Sequence, residues 1–191
     1  MAAITLAGFQ AKFEGDADPW STFSGHDEAV KRQAILHALG PGPIGRVLEL
    51  ASGSGSNSVA IAPRARRLQA TEGTAEGTRL TAQAVAPWPR ADARQLALPA
   101  RFPAPLYDAI VVAEILYYLS PRAMAATARA VAGALRPGGR LILAQHRIDF
   151  YDFAQHAAGI HDRFLDAARI GWRRRVVRRT GAWIVEAATP A

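Results

Sequence analysis

The chain has 191 residues and a net charge of +7, with half of its residues apolar and a fifth charged. That length suits one domain with a real hydrophobic core, and the apolar fraction excludes a disordered chain. There is no cysteine, which excludes disulfides, thiolate metal sites, iron–sulfur ligation and a cysteine nucleophile.

Residues 1–25 read as an irregular arm with one short helix, punctuated by Gly15, Asp18-Pro19 and Ser24-Gly25. The first residues lack a positive run, so no signal peptide is expected. Helical periodicity covers Ala29 to Leu39, with Ser24 or Asp27 as the expected cap and GPGP at 40–43 as the stop. Strand and helix then alternate. Arg46 to Leu50 is a short buried strand, followed by a Gly/Ser turn and a helix from Ser56 to Ala62. Arg67 to Thr71 is a strand and Ala75 to Val85 a helix. A weak strand lies near Pro89 to Asp92, before a loop with Pro99, Pro103 and Pro105.

Tyr107 to Ala113 is apolar on both faces, as a central parallel strand should be. The run from Ala109 to Leu119 is broken by Glu114 and is short of the roughly 20 residues that a membrane span needs, so a cytoplasmic protein is expected. Pro121 to Leu135 is an Ala-rich helix ended by Pro137-Gly138-Gly139, and Arg140 to Gln145 is the next strand. A helical stretch is expected over Phe153 to Ala168, with His156 and His161 on its surface. Trp172 to Thr180 and Ala182 to Ala187 form an antiparallel hairpin about Gly181. The pattern gives an α/β sandwich with a mostly parallel sheet and ligands at the carboxyl ends of its strands.

Six arginines, Arg169, Arg173, Arg174, Arg175, Arg178 and Arg179, fall in one acid-free stretch. They read as a solvated strand face, with an anionic ligand or a nucleic-acid backbone as the sharper alternative.

The turns after the strands hold the unusual residues. Glu49-Leu50-Ala51-Ser52-Gly53-Ser54-Gly55 is a turn of small residues that a ligand can approach closely, ahead of a helix N-terminus. Glu72 closes the second strand 19 residues after Gly53, a distance that suits a grip on ribose hydroxyls or a helix cap. Asp92 before Ala93 ends the third strand and reads as an acceptor for an adenine amino group or as a solvated loop acid. Glu114 follows AIVVA at the tip of the central strand, where an unpaired buried carboxylate is costly. His146 stands at the tip of the fifth strand. No metal-ligand spacing such as HExxH occurs.

These positions, with Tyr107-Asp108 opening the fourth strand and LRPGGRLIL leading into the fifth, resemble a class I S-adenosylmethionine-dependent methyltransferase from about residue 44 onward. Asp18-Pro19-Trp20, VVAEILYYL at 111–119 and the short tail are similar to the NodS-like N-methyltransferases, which act on a de-N-acetylated chitooligosaccharide. The resemblance implies a Rossmann-like core over 44–191, capped by an arm and helix over 1–43 in a single domain. It implies S-adenosyl-L-methionine as cofactor and S-adenosyl-L-homocysteine as product. Glu49, Ala51, Ser52, Gly53 and Gly55 would hold the methionine and ribose portion, with Glu72 and Gly73 on the ribose. Asp92 and Ala93 would bracket the adenine, with Ala113 and Glu114 beside the cofactor. Trp20 would close over it, and Lys31 or Arg32 would meet its carboxylate. Glu114, His146, Tyr117 and Tyr118 are the candidates for the acceptor side, with one tyrosine expected in the core; Glu114 or His146 would orient or deprotonate the acceptor, an amine such as an amino sugar or another small nucleophile. The family usually has Gly where this chain has Ala51.

Two other classes compete. A nicotinamide dehydrogenase lacks support because Ser58 replaces the third glycine of its fingerprint. An RNA-directed methyltransferase using the arginine run and a non-catalytic cofactor-binding relative remain as alternatives, with a monomer or homodimer expected.

Overall fold

The structure, a computed structural model, describes residues 3–104 and 106–191, so the Pro105 of the expected proline loop lies outside the described residues. Helices α1 (Leu6–Gly15) and α2 (His26–Leu39) precede β1 (Ile44–Leu50), α3 (Ser56–Ile61), β2 (Ala65–Glu72), α4 (Ala75–Val85), β3 (Ala91–Gln95) and β4 (Tyr107–Ala113). Then come α5 (Pro121–Ala134), β5 (Leu135–His146), α6 (Ile160–Ala167), β6 (Trp172–Arg179) and β7 (Trp183–Pro190). One sheet runs in the order β3-β2-β1-β4-β5-β7-β6. Strands β1 to β5 are parallel, and β7 lies antiparallel between β5 and β6. This is the α/β architecture that the alternating pattern implies.

Alternate residues of the central strands serve two cores. Ile110 and Val112 of β4 join Leu48, Leu50, Leu141 and Leu143 under α5 and α6. Ala109 and Val111 face the other way, with Val47, Ile142 and the α2 residues Ile35 and Leu39. A strand covered on both faces needs apolar residues at every position, which is why β1 and β4 stand out in the sequence. The chain moves outward from β1 through β2 to β3, then returns to the other side of β1 as β4. The crevice therefore opens between the carboxyl ends of β1 and β4.

Four expected boundaries shift. Helix α2 begins at His26 with Gly25 at its cap position, so neither Ser24 nor Asp27 is the cap; Asp27 and Glu28 instead lie in the first turn, beside the positive end of the helix. Strand β3 runs to Gln95, and pairs Asp92 with Gln69 near its start. Strand β5 begins at Leu135, directly after α5, and its register with β4 breaks between Tyr107 and Ala109, where Pro137-Gly138-Gly139 bulges out. Helix α6 starts only at Ile160, so His156 lies in the preceding loop, exposed and paired with Asp149.

The second expected surface histidine is buried. His161 is 5% exposed and its Nδ1 lies 3.0 Å from Glu186 of β7. Arg174 of β6 donates to both carboxylate oxygens of Glu186, at 2.7 and 3.1 Å, and reaches Asp162 of α6 at 2.7 Å. Arg178 lies over the Trp183 ring. The arginine run thus occupies the sheet edge, where charge discourages pairing with another strand, and one of its members ties the hairpin to α6.

Burial raises the Glu186 carboxyl, but hydrogen bonds from His161 and Arg174 outweigh it and hold it at about 2. A carboxyl held below its ordinary 4.5 contributes stability that is present above that pH and lost as the pH falls toward 2. Glu186→Gln leaves His161 and Arg174 without their anion, so a loss of about 3 kcal/mol in urea unfolding at neutral pH is expected. The same variant should show a flatter acid dependence than the wild type below pH 4.5.

Candidate active site

The crevice at the strand tips holds a cavity of about 520 Å³, a size typical of small-ligand sites. Its floor is the turn after β1. Ala51 has φ +53°, a left-handed backbone that is uncommon for a residue with a side chain. Ser52 N donates to Thr71 O at 2.8 Å, and Thr81 of α4 fixes the next peptide by donating to Gly53 O at 2.9 Å. Gly53 has φ +61°, and a Cβ there would meet only Phe13, at 3.8 Å, so the main chain lies open to the cavity. Gly55 faces away from it. With φ +91°, it brings α3 against α4, where a Cβ would come within 3.0 Å of Thr81 Cα.

Glu49 lies beneath this turn, fully buried, and accepts from Ser58 Oγ at 2.5 Å. Burial pushes its carboxyl up to about 7, against the pull of the Ser58 and Asn57 hydrogen bonds and the Arg32 charge. It supports the turn and does not line the cavity. Arg32 also stays out of the cavity, donating to the carbonyl of Thr22 and so stapling the arm to α2.

Glu72 reaches the cavity from the tip of β2. Its Oε2 accepts from Gly53 N at 3.1 Å, and its Oε1 accepts from Thr74 N and Oγ1 at 3.0 and 3.1 Å. Burial raises this carboxyl despite those donors. Gly73 lines the cavity beside it. Asp92 and Ala93 do not, because β3 continues three residues beyond Asp92 and carries the tip with it. Asp92 pairs instead with Arg94 and Arg67, while Leu96 and Leu98, beyond the strand, line the cavity.

The centre of the site is Glu114, the residue after β4, also at φ +53°. Its Oε1 accepts from Lys31 Nζ at 2.6 Å; its Oε2 accepts from the Tyr117 hydroxyl and, at 3.3 Å, from His146 N. Lys31 is 3% exposed and also bonds Glu28 at 2.7 Å. Burial alone would lower the ammonium, but the Glu114 and Glu28 carboxylates outweigh it and hold Lys31 above its ordinary value. Burial pushes the Tyr117 hydroxyl well up, and the Glu114 charge pushes it further. His146 Nδ1 lies 3.3 Å from the Ala182 carbonyl. A carbonyl only accepts, so in the neutral imidazole Nδ1 carries the proton and Nε2 the lone pair; Nε2 lies 3.7 Å from Glu114.

The arm supplies the roof. Asp18 Oδ1 accepts from Thr22 N and Oγ1, both at 2.7 Å, and this turn delivers Trp20. Phe9 and Phe13 of α1 pack on Trp20 with ring centres at 5.9 and 5.4 Å, and Phe9 meets Tyr118 edge-on at 4.9 Å. Ile4 N donates to Asp152 O at 3.1 Å, which joins the arm to the loop after β5 across the mouth.

Of the residues singled out in the sequence, the cavity gathers Trp20, Lys31, Ala51, Ser52, Gly53, Glu72, Gly73, Ala113, Glu114, Tyr117, Tyr118 and His146. It leaves out Arg32, Glu49, Gly55, Asp92 and Ala93. It adds Phe9, Phe13, Glu28, Asn57, Phe150 and Phe153, which the sequence reading passed over. Phe9 and Phe13 carry a legible signal, since four-residue spacing puts both on one face of a helix.

Comparison with known proteins bears on the family and the fold. The family model described as Nodulation protein S matches residues 11–179. Nodulation protein S of Rhizobium tropici is 33% identical over 140 residues, covering 68% of this chain and 56% of that protein. The namesake from Sinorhizobium fredii (strain NBRC 101917 / NGR234) is 30% identical over 132 residues, 65% of this chain and 59% of that protein. The chain thus spans a little over half the length of these curated relatives. The crystal structure of N-methyltransferase NodS from Bradyrhizobium japonicum WM9 in complex with S-adenosyl-l-homocysteine superposes with a TM-score of 0.78 at 18% identity, covering 96% of each chain.

The left-handed backbone at Ala51 costs an L-residue about 1–2 kcal/mol relative to glycine, and glycine's extra unfolded-state freedom returns part of that. Ala51→Gly is therefore expected to raise stability by about 0.5 kcal/mol. Ala51→Val, β-branched, should lower it by about 2 kcal/mol. Urea midpoints of the three proteins check both signs.

Proposed function

This chain belongs to the nodulation protein S family, and on that premise we propose that it is an S-adenosyl-L-methionine-dependent methyltransferase acting on an amine. The observation that carries the reading is the cavity at the β1/β4 switch point, where an open glycine turn, a strand-tip carboxylate and an acidic acceptor side meet.

The donor set suits the cofactor. Gly53, without a Cβ and facing open space, leaves room for a close approach to the main chain. Glu72 Oε2 has lone-pair capacity beyond its bond from Gly53 N and suits ribose hydroxyls. Leu96, Leu98 and Phe13 give an apolar slot for a base. Glu28, Glu72, Glu114 and Asp152 outnumber Lys12 and Lys31 around the cavity, so its field favours a cation, in a chain whose net charge is +7. Residues 3–25 serve as the cap of the site, and α2, packed on the sheet, sends Glu28 and Lys31 into it.

When bound, the sulfonium supplies an electrophilic methyl group. The chain's own work is to exclude water, to place the acceptor nitrogen and to remove its proton. The roof of Trp20, Phe9 and Phe13 excludes water. Glu114 orients the acceptor as a fixed group, because Lys31, Tyr117 and His146 N already engage both of its oxygens. His146 takes the proton: its Nε2 has the free lone pair, and the neighbouring carboxylate stabilises the imidazolium that forms. Lys31, held by two carboxylates, is not free to meet a cofactor carboxylate.

Titration calorimetry with S-adenosyl-L-homocysteine tests the cofactor, and absence of binding overturns the reading. Glu72→Ala should weaken that binding about tenfold, roughly the worth of one lost charged hydrogen bond. His146→Asn should lower kcat/KM about 100-fold, with S-adenosyl-L-homocysteine affinity unchanged. An unchanged rate in that variant removes His146 as the base.

A further inference from the structure

We infer that Lys12, in the last turn of α1, is the cation that receives the α-carboxylate of the cofactor's amino-acid tail. This rests on the methyl-transfer reading and deepens it, by assigning the carboxylate which that reading leaves without a partner.

Four carboxylates line the cavity, those of Glu28, Glu72, Glu114 and Asp152. A further anion placed among them needs a cation beside it, since an unpaired charge leaving water is costly and its neighbours here repel it. Thr22, Ser54, Ser56 and Asn57 also line the cavity and can donate hydrogen bonds, but they bring no positive charge. Among the described residues, the lining groups that can carry one are Lys12, Lys31 and His146. Lys31 already holds two carboxylates, Glu28 at 2.7 Å and Glu114 at 2.6 Å. His146 faces Glu114 and is the proton acceptor of the proposed reaction, so it is not a standing cation. Arg32 lies outside the cavity, with its guanidinium on the Thr22 carbonyl.

Lys12 differs from all three. It is half-buried in the roof and forms no ion pair among the described residues. Its Nζ lies 5.8 Å from the centre of the Trp20 ring, whose face holds an ammonium without neutralising it. That part of the roof stands over the glycine turn. Phe13, next to Lys12, is what a Cβ at Gly53 would meet, and Thr22 Oγ1 lies 3.3 Å from Ser54 Oγ. Glu72, the proposed ribose partner, accepts from Gly53 N on the same turn, so a tail carried on that ribose starts beneath Lys12's side of the roof. Composition marks the position independently. Of the 23 basic residues only Lys12 and Lys31 are lysines, and both line this cavity.

The test is titration calorimetry of the full chain with S-adenosyl-L-homocysteine and with 5′-methylthioadenosine, which has the same adenosine and a thioether but no amino-acid tail. The wild type should bind the first at least about tenfold more tightly. Lys12→Met should cut that preference about tenfold by weakening S-adenosyl-L-homocysteine alone. Its methylthioadenosine affinity should stay within about twofold, which also shows that the variant folds. Lys12→Arg keeps the charge and should restore most of the preference. Raising the salt should weaken S-adenosyl-L-homocysteine more in the wild type than in Lys12→Met. Lys12→Gln takes the place of the methionine variant if that one does not fold. A preference that the charge-removing variant retains overturns the inference, whether or not Lys31→Met or Arg32→Met loses it. So does a wild type that binds S-adenosyl-L-homocysteine no better than methylthioadenosine, which leaves methyl transfer itself standing. Failure to bind S-adenosyl-L-homocysteine at all overturns the methyl-transfer reading, and the inference falls with it.

Discussion

Two neighbouring parallel strands end in the same unusual way: Ala51 after β1 and Glu114 after β4 both have φ +53°. A left-handed residue turns the chain sharply off the strand axis, so the two connections diverge instead of running on together. The crevice between them is the site. Neither residue is glycine, so each position carries a cost of about 1–2 kcal/mol that surrounding contacts must offset. At Ala51, hydrogen bonds from Ser52 N and Thr81 hold the peptides on either side of the turn. At Glu114, the backbone N donates to Ala144 O at 2.8 Å while the carboxylate is gripped by Lys31 and Tyr117. Strain of this kind persists where the surroundings over-determine the conformation, and the surroundings here are the site's own side chains.

Charge is sorted across the molecule. The net +7 is concentrated at the β6 edge of the sheet, while the cavity between β1 and β4 is lined by more carboxylates than cations. The edge arginines discourage strand addition, and Arg174 also ties the terminal hairpin to α6 through Glu186 and Asp162. These two uses are structural and local. The acidic cavity has a different reach, because low-dielectric walls focus its field on whatever enters.

The sequence shows most clearly those elements whose residues are constrained on both sides. The runs RVLEL and YDAIVVA declare β1 and β4 because each of their apolar residues faces one core or the other. Strand β3, ADARQ, is a sheet edge with no buried residue, so nothing in its composition fixes its end; the register with β2 does, and it carries the tip past Asp92. That displacement removes Asp92 and Ala93 from the site. His161 looks like a surface residue on a polar helix until Glu186, 25 residues on, is brought against it. The N-terminal arm is legible as small polar and aromatic residues, but its role depends on the Asp18 turn and on where α1 lands, which are tertiary facts. Glycine and acid at strand tips are conspicuous in a sequence. The hydrogen bonds that leave Glu49 supporting the turn and Arg32 stapling the arm are not.

The full engagement of Glu114 decides how the two candidate groups at the strand tips divide their work. A carboxylate that accepts from a buried ammonium, a phenol and a backbone N–H is held in one orientation by them. The same bonds make it a better fixed charge, because it need not reorganise when a cation forms beside it. His146 differs in one hydrogen bond: its Nδ1 faces the Ala182 carbonyl from the β6–β7 turn, which assigns the lone pair to Nε2. The terminal hairpin, remote in sequence from every other part of the site, thereby sets which nitrogen is basic. In the proposed reaction, β4 supplies the anion, β5 the base and the hairpin the tautomer, so a sheet built from both parallel and antiparallel strands is a condition of the chemistry as well as of the fold.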